Sequence, residues 1–504
     1  MEPLYTIRAG HYNAIVGLIS QEGQTVYNMV NRIDLLDENR RPGSIVWRLA
    51  WPIMLEQVLI MLVQYVDTAM VGALGPNATA AVALTSPTSW LVQGLLVGVA
   101  IGFGVPVGNY VGAGRMEEAK AVVRQSVIAI FFFGLLMTAA MELVAPSLPH
   151  WLGGDPAICD DATSYISIVG LSYICSASVQ ICSNLLRCTG DTSTPLIFNV
   201  STNVINMVLN FLLIYPTREI NVLGWRFTMW GADLGVSGAA IATAVATLFS
   251  GAMLLRALFS SKFRCQIKLK ESYHFQKEIW KDMLRVGSPV TFERMCISTG
   301  QIFMTAMVTS LGTASLAAHS LGTTAESITY MPAFGFSAAA TTLVAQSMGA
   351  QRRDLASNYS KFCISRCVLF MTLMGVVLYF GGGWLISLFT PSEEVVRIGA
   401  AALRIEALAQ PFFALSICIS GVLRGARKTK WPFFFALLGM WCVRLPLCFF
   451  LTKYTSLGLT GAWVGMAADL TVRGLASLLL YRGGRWLGPV DAPAAPAQGA
   501  TPAS

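Results

Sequence analysis

Long apolar runs separated by short polar loops dominate the chain. Twelve of these runs are long enough for the roughly 20 helical residues that cross a bilayer. Since hydrocarbon offers no water to satisfy backbone polar groups, spans of this length form helices. The sequence therefore predicts an all-α integral membrane protein with twelve transmembrane helices. The approximate limits of the predicted spans 1 to 12 are 45–74, 79–110, 119–145, 161–187, 195–216, 233–259, 284–312, 316–347, 357–389, 395–424, 431–452 and 457–481.

Basic residues are concentrated in alternate loops. The set on one side of the predicted membrane is Arg115, Lys120, Arg124, Arg187, Lys262, Arg264, Lys268, Lys270, Lys277, Lys281, Arg352, Arg353, Arg424, Arg427, Lys428 and Lys430. Loops on the other side have few bases, with Arg218, Arg226 and Lys453 as exceptions. By the positive-inside rule the basic loops face the cytoplasm. We therefore predict a multi-pass protein of the cell membrane with both termini cytoplasmic.

Composition supports this class and excludes others. Of the 504 residues, 54% are hydrophobic and only 12% are charged, about half the charged share of a soluble domain. The net charge of +8 is explained by the basic loops, so nucleic acid is not a predicted partner. No G-x-x-x-x-G-K-[ST] motif occurs, and we predict no ATPase subunit. The 11 Cys are scattered through apolar segments, and we predict no metal and no cofactor.

The chain repeats itself at an offset of 237 residues. Glu56 aligns with Glu293, and "VGAGR" at 111–115 aligns with "MGAQR" at 348–352. Towards the end of each half the offset falls to 223, so the first half carries about 14 extra residues, most simply in the loop around 216–230. Two copies of a six-helix unit begin on the same side of the membrane. This predicts two six-helix lobes related by a parallel pseudo-twofold axis along the membrane normal.

This organisation divides the chain and indicates a function. Two lobes leave a cleft between them, and a transporter that rocks about such a cleft is the natural function of the architecture. The predicted segments are an interfacial or cytoplasmic N-terminal segment at 1–44, the first lobe at 45–259 (spans 1–6), a cytoplasmic linker at 260–283, the second lobe at 284–481 (spans 7–12) and a disordered cytoplasmic tail at 482–504.

Two acids interrupt the first span. Glu56 and Asp67 are 11 residues apart, so at ~100° per residue they lie on nearly one helix face, ~16 Å apart along the axis. A charge at the bilayer centre costs roughly 2.5–3.5 kcal/mol, so this face must look into the bundle or a wet cavity. Glu56 has a repeat mate in Glu293, whereas Met304 occupies the slot of Asp67. Asp67 is therefore the first candidate for a coupling acid, and a buried acid paired with Arg or bonded to Asn and Thr is the alternative.

Other polar residues inside the spans have two interpretations. Asn203, Asn206 and Asn210 follow i, i+3, i+7 spacing and form one polar stripe on span 5. They could face Asp67, or they could join helices by hydrogen bonds. Charged residues in or near the spans of the second half are expected mainly to pair with one another; they are Glu326, Arg404, Glu406, Arg444, Asp469 and Arg473.

Several motifs together resemble the multidrug and toxic compound extrusion (MATE) family of cation-coupled efflux proteins. They are "WPIMLEQ", "VDTAMVGALG", "LLRCTGDTSTP", "NMVLNFLLIYP" and "GAAIATAVA" in the first half, and "GSPVTFE", "LAAHSLG", "MPAFGFSAAATTLVAQSMGAQRRDLA" and "GVLRGARKTKWP" in the second. The resemblance covers about 45–480 and implies two six-helix lobes in a V. It implies a cation-coupling group of Asp67, Asn206, Asn210 and Thr243. Glu326 looks like the span-8 acid of some relatives.

The resulting hypothesis is a monomeric antiporter in the lipid bilayer. It would use H⁺ or Na⁺ to export amphipathic, often cationic, organic compounds by alternating access. A flippase for a lipid-linked or polysaccharide precursor is the alternative, and an enzyme is not predicted. Possible further coupling or substrate residues are Glu56, Gln64, Glu293, Gln301 and Glu326. Candidate residues of the substrate cavity are Tyr65, Met61, Phe334, Phe336 and Trp441.

Overall fold

A computed structural model describes residues 35, 41–222 and 225–488, with the backbone alone for 220–222 and 225–227. The segments predicted as an N-terminal region and a disordered tail lie largely outside these residues. The described chain is almost entirely helical. Spans 1 to 12 are Pro42–Gly72, Pro76–Gly112, Met116–Val144, Pro156–Leu171 with Tyr173–Cys188, Ser193–Leu213, Gly235–Phe259, Lys277–Thr309, Thr313–Tyr330 with Ala333–Gly349, Arg353–Ser387, Glu393–Gly425, Lys430–Tyr454 and Leu459–Arg482.

The helices match the predicted spans in number and order. Nine helices of the described chain are long and apolar enough to cross a membrane, and two bent pairs raise this number to eleven. The pairs are spans 4 and 8, bent by 48° and 42°. Pro332 lies at the second bend, where its missing N–H and its ring interrupt the helix. Span 7 is the one predicted span that is not among these eleven. It has 33 residues, and its first turns are charged. The predicted fold is confirmed.

Other elements are short. A one-turn helix, Leu148–Trp151, precedes span 4, a π-helix, Leu438–Arg444, forms the middle of span 11, and a 3₁₀ turn, Arg485–Leu487, follows span 12. Span 1 begins at Pro42, slightly before the predicted start. Proline suits this position because its fixed φ and missing N–H match the first turn of a helix.

A β-hairpin is the one departure from an all-α fold in the described chain. Strands Pro216–Val222 and Trp225–Ala232 pair antiparallel between spans 5 and 6. They coincide with the place where the repeat predicts about 14 extra residues. The Arg218 guanidinium lies 4.3 Å from the ring centroid of Phe211 and 4.0 Å from that of Tyr215. These cation–π contacts hold the hairpin on the end of span 5.

The hairpin and the basic loops mark opposite ends of the helices. We call the end with the loops 113–115, 189–192, 260–276, 350–352 and 426–429 the basic side, and the other end the hairpin side. One hydrophobic core lies mainly in the first lobe, a second lies in the second lobe, and a third joins the start of span 1 to the second lobe. Span 2 packs on spans 7 and 8 of the other lobe, and its contact with span 8 lies at the basic side.

Glycines allow spans 2 and 8 to cross in direct backbone contact. A Cβ built on Gly112 would lie 2.0 Å from the carbonyl oxygen of Gln346, and one built on Gly349 would lie 1.9 Å from that of Asn109. Gly112 and Gly349 are repeat mates, as are Asn109 and Gln346, so the crossing is symmetric about the pseudo-twofold axis. We call these four residues the glycine seam.

Hydrogen bonds reinforce the glycine seam. Asn109 Nδ2 donates to the Ala345 carbonyl at 2.7 Å, and Gln346 Nε2 donates to the Cys188 carbonyl at 2.7 Å. Each bond joins one lobe to the other, and the amide groups involved are buried. The two lobes are therefore closed against each other at the basic side.

Candidate functional site

Span 1 brings Asp67 against the polar stripe of span 5. Asn210 Nδ2 donates to Asp67 Oδ1 at 2.6 Å. With its nitrogen facing the carboxylate, the Asn206 amide donates to Oδ1 at 2.8 Å and to Oδ2 at 3.1 Å. Its oxygen then accepts from Thr243 Oγ1 at 3.2 Å. The structure thus places the four residues of the predicted cation-coupling group together.

Glu56, the other acid of span 1, lies in a different environment. It forms an ion pair with Arg187 and accepts from Asn199 Nδ2 at 2.5 Å. Its repeat mate Glu293 accepts from Arg424 Nη2 at 2.7 Å. Arg187 and Arg424 are themselves repeat mates. Both lobes therefore use the same internal ion pair, which indicates a scaffold role for Glu56 and Glu293.

We expect Glu56→Gln to lower the free energy of unfolding by about 3–5 kcal/mol, the usual cost of removing one partner of a buried ion pair. The side chains of Glu56 and Arg187 are only 2% and 16% exposed, so Arg187 would keep a largely desolvated charge. Thermal unfolding in detergent measures the loss, and the double variant with Arg187→Gln should recover part of it. Lost coupling with an unchanged unfolding midpoint would instead make Glu56 a coupling acid.

Two predicted cavity residues of span 1 contact the second lobe. Tyr65 Oη donates to the Thr324 carbonyl at 3.0 Å and lies 2.8 Å from Ser327 Oγ. Ser327 Oγ lies 3.6 Å from the Met61 sulfur. We call the space between the lobes at the depth of these four residues the cleft. Gln64 of the same span is exposed.

The predicted aromatic residues of the second lobe divide into two groups. Phe334 is partly exposed and lies edge-on to Tyr330, with 6.0 Å between centroids. Phe336 is only 2% exposed and packs in the core against Trp47. Phe336 therefore does not line the cavity as predicted. It lies two residues after Phe334 and so points ~200° away from it around the helix.

Trp441 is placed on the π-helical turn of span 11. It is 38% exposed and lies edge-on to Phe303 of span 7, with 5.7 Å between the ring centroids. Its contact is thus with another helix of the same lobe.

A charged network fills the interior of the second lobe, as expected from its charged residues. Arg444 donates from Nε to Asp469 Oδ2 at 2.8 Å and from Nη1 to Gln301 Oε1 at 3.0 Å. Arg473 Nη2 donates to the same Asp469 oxygen at 2.7 Å. Gln301 therefore belongs to this network.

Two further acids of this lobe face each other. Glu326 of span 8 and Glu406 of span 10 are both buried, on helices that pack against each other. Neither oxygen of Glu406 receives a hydrogen bond from the described residues, and its side chain is fully buried. The sequence did not indicate that these acids are neighbours, because their spans are separated along the chain by span 9.

Comparison with known proteins identifies the family. The sequence model of the family described as MatE matches residues 52–212 and 289–450. The chain belongs to the MatE family. The two matched segments begin 237 residues apart, as the internal repeat requires. As a member of this family the chain is a multi-pass membrane transporter and not an enzyme. The family resemblance drawn from its motifs is confirmed.

Curated relatives cover most of the chain. A probable multidrug resistance protein NorM from Thermotoga maritima is 30% identical over 87% of this chain and 92% of the relative. An uncharacterized transporter, YisQ, from Bacillus subtilis is 25% identical over 88% of this chain and 93% of the relative. Similarity therefore extends over both lobes of these relatives.

Solved structures share the fold. A MOP superfamily transporter from Pyrococcus furiosus superposes with a TM-score of 0.80 at 22% identity, covering 88% of this chain and 96% of that chain. A multidrug resistance MATE family transporter solved in an outward-facing conformation gives a TM-score of 0.80 at 21% identity, with the same coverage. At these identities the likeness concerns the fold alone.

Proposed function

We propose that this MatE-family transporter is a proton-coupled exporter of amphipathic organic compounds, with the basic side in the cytoplasm of the cell. The observation that carries the proposal is the carboxyl of Asp67, held inside the first lobe by Asn206 and Asn210. An ionisable group inside a membrane span typically marks an ion pathway. The curated relatives named for multidrug resistance support export of drug-like compounds, and they do not favour the flippase alternative.

The Asn206 amide favours the proton as the coupling ion. When Asp67 is ionised, the amide nitrogen donates to it and the amide oxygen accepts from Thr243. When Asp67 is protonated, its O–H can donate to the amide oxygen, and the nitrogen turns to Thr243 Oγ1 at 3.2 Å. Turning one amide group over therefore satisfies both protonation states. Amide N–H groups facing the carboxylate are poorly suited to a metal cation, which needs a shell of oxygens.

Coupling follows if the proton and the substrate favour different conformations of the two lobes. Asp67 lies two residues from Tyr65, which bonds the second lobe through Thr324. A change in the position of span 1 on protonation would therefore reach the contact between the lobes. We propose that protonation from the hairpin side lowers substrate affinity there, and that release to the basic side resets the transporter.

The proposal is tested with purified protein in liposomes. Efflux of a fluorescent cationic dye would be measured under a pH gradient and, separately, under a Na⁺ gradient of equal size. Flux that follows the pH gradient alone supports the proposal. Flux that follows only the Na⁺ gradient would identify Na⁺ as the coupling ion in place of the proton. Absence of flux under both gradients would overturn the proposed export.

A further inference from the structure

Arg294 lies near the middle of span 7, on the helix face that meets span 2 of the other lobe. A Cβ built on Gly94 of span 2 would lie 3.1 Å from the Arg294 Cβ. The side chain of Arg294 is partly exposed. It therefore stands between the lobes, inside the part of the chain that the membrane covers.

Arg294 differs from the other arginines in the interior of the spans. Arg187, Arg424, Arg444 and Arg473 each form an ion pair with an acid. Arg294 has neither an ion pair nor a hydrogen bond with any of the described residues, and its Nε is buried without a partner. A cation at this depth is costly and almost always pairs with an anion.

The neighbouring acid does not supply this anion. Glu293 accepts from Arg424 at 2.7 Å, and adjacent residues of a helix do not face each other. The repeat mate of Arg294 is Gln57, so the charge is specific to the second lobe and is not part of the shared scaffold. None of the described residues therefore supplies an anion to Arg294.

Aromatic side chains define what that partner looks like. The Arg294 guanidinium carbon lies 5.5 Å from the Phe334 ring centroid. Tyr330 lies edge-on to Phe334 and follows Ser327 of the cleft by one helical turn. A guanidinium beside a ring keeps N–H groups free for a planar carboxylate, which it binds with two parallel hydrogen bonds.

We propose that Arg294 binds the carboxylate of aromatic substrates in the cleft, while their rings pack on Phe334 and Tyr330. Arg294 would thus be the residue that favours substrates with a carboxylate over substrates that lack one. This inference rests on the proposed export function and names a residue that determines its specificity.

Rhodamine B and its ethyl ester test the proposal, because they differ only in the free carboxylate. Binding of each dye to detergent-solubilised full-length protein would be measured by fluorescence anisotropy for wild type, Arg294→Gln and Arg294→Lys. We expect Arg294→Gln to weaken rhodamine B binding about 10- to 100-fold, the range of a charge-assisted hydrogen-bonded pair. Binding of the ester should change little, and Arg294→Lys should retain part of the affinity.

Controls separate this site from the fold and from the transport cycle. Arg256→Gln removes an exposed arginine at the basic-side end of span 6 and should leave both affinities unchanged. The proposal would be overturned if Arg294→Gln lost equal affinity for both dyes or lost affinity for neither. It would also be overturned if the wild type did not bind rhodamine B. Displacement of rhodamine B by phosphatidylglycerol, with no advantage of the carboxylate over the ester, would assign Arg294 to lipid instead. Since binding needs no gradient, failed export in liposomes would leave this result standing.

Discussion

Asp67→Asn is expected to abolish efflux driven by a pH gradient while leaving the protein folded and able to bind substrate. Asparagine has nearly the shape of aspartate, and its amide oxygen can still accept from Asn210, which now donates at 2.6 Å. The variant cannot take up or release a proton at this position. Because coupling requires an ion that distinguishes the two conformations, flux should fall to the level of protein-free liposomes.

The decisive measurement is dye efflux from proteoliposomes under an imposed pH gradient, with dye binding measured in detergent on the same preparations. Asp161→Asn is a matched control, because Asp161 is an exposed acid at the hairpin-side end of span 4. Normal efflux by Asp67→Asn would remove Asp67 from the coupling mechanism. Loss of both folding and dye binding would show that its hydrogen bonds to span 5 are structural.

The sequence predicted the architecture because two independent patterns agreed. Hydropathy located the spans, and the offset of 237 residues divided them into two equal lobes. Span 7 is the least apolar of the twelve, and its repeat mate, span 1, supported its assignment. The hairpin was found only as an insertion of about 14 residues, because the repeat reveals extra length but not the conformation of the inserted chain.

The first-lobe site could be predicted because its pattern lies along single helices. Spacing placed Asn206 and Asn210 on one face of span 5, and the resemblance joined them to Asp67 and Thr243. Residues that meet only through tertiary packing gave no such signal. Glu326 and Glu406 become neighbours only because spans 8 and 10 pack against each other.

Arg294 illustrates why sequence neighbours can mislead. It directly follows Glu293, but adjacent helical residues point ~100° apart. The structure pairs Glu293 with Arg424 and leaves Arg294 beside Phe334. Which partner each side chain meets depends on the rotation of span 7 about its axis, and that rotation is fixed by tertiary packing.

Gly112→Leu is expected to force the lobes apart at the basic side and to stop transport. Its Cβ would lie 2.0 Å from the Gln346 carbonyl oxygen, and a backbone atom cannot rotate away as a side chain can. Overpacking costs typically 1–3 kcal/mol, which corresponds to about a 5- to 150-fold shift between two conformations. The shift should favour the conformation that is open on the basic side, because the glycine seam separates there.

Spin labels at Glu117 and Asp354 would measure this opening, since both residues are exposed repeat mates at the basic side. The labels would be attached to introduced cysteines in a Cys442→Ser background, which removes the exposed native cysteine. We expect the distance between the labels to increase in Gly112→Leu.

The pseudo-twofold axis makes this prediction unusually demanding. Gly349→Leu must produce the same opening from the other lobe, because its Cβ would lie 1.9 Å from the Asn109 carbonyl oxygen. Gly381→Leu places the same side chain on a helix where no atom lies within 4 Å, so it should change neither the distance nor the flux. If Gly112→Leu and Gly349→Leu keep the wild-type distance and transport normally, the glycine seam is not the contact that closes the basic side.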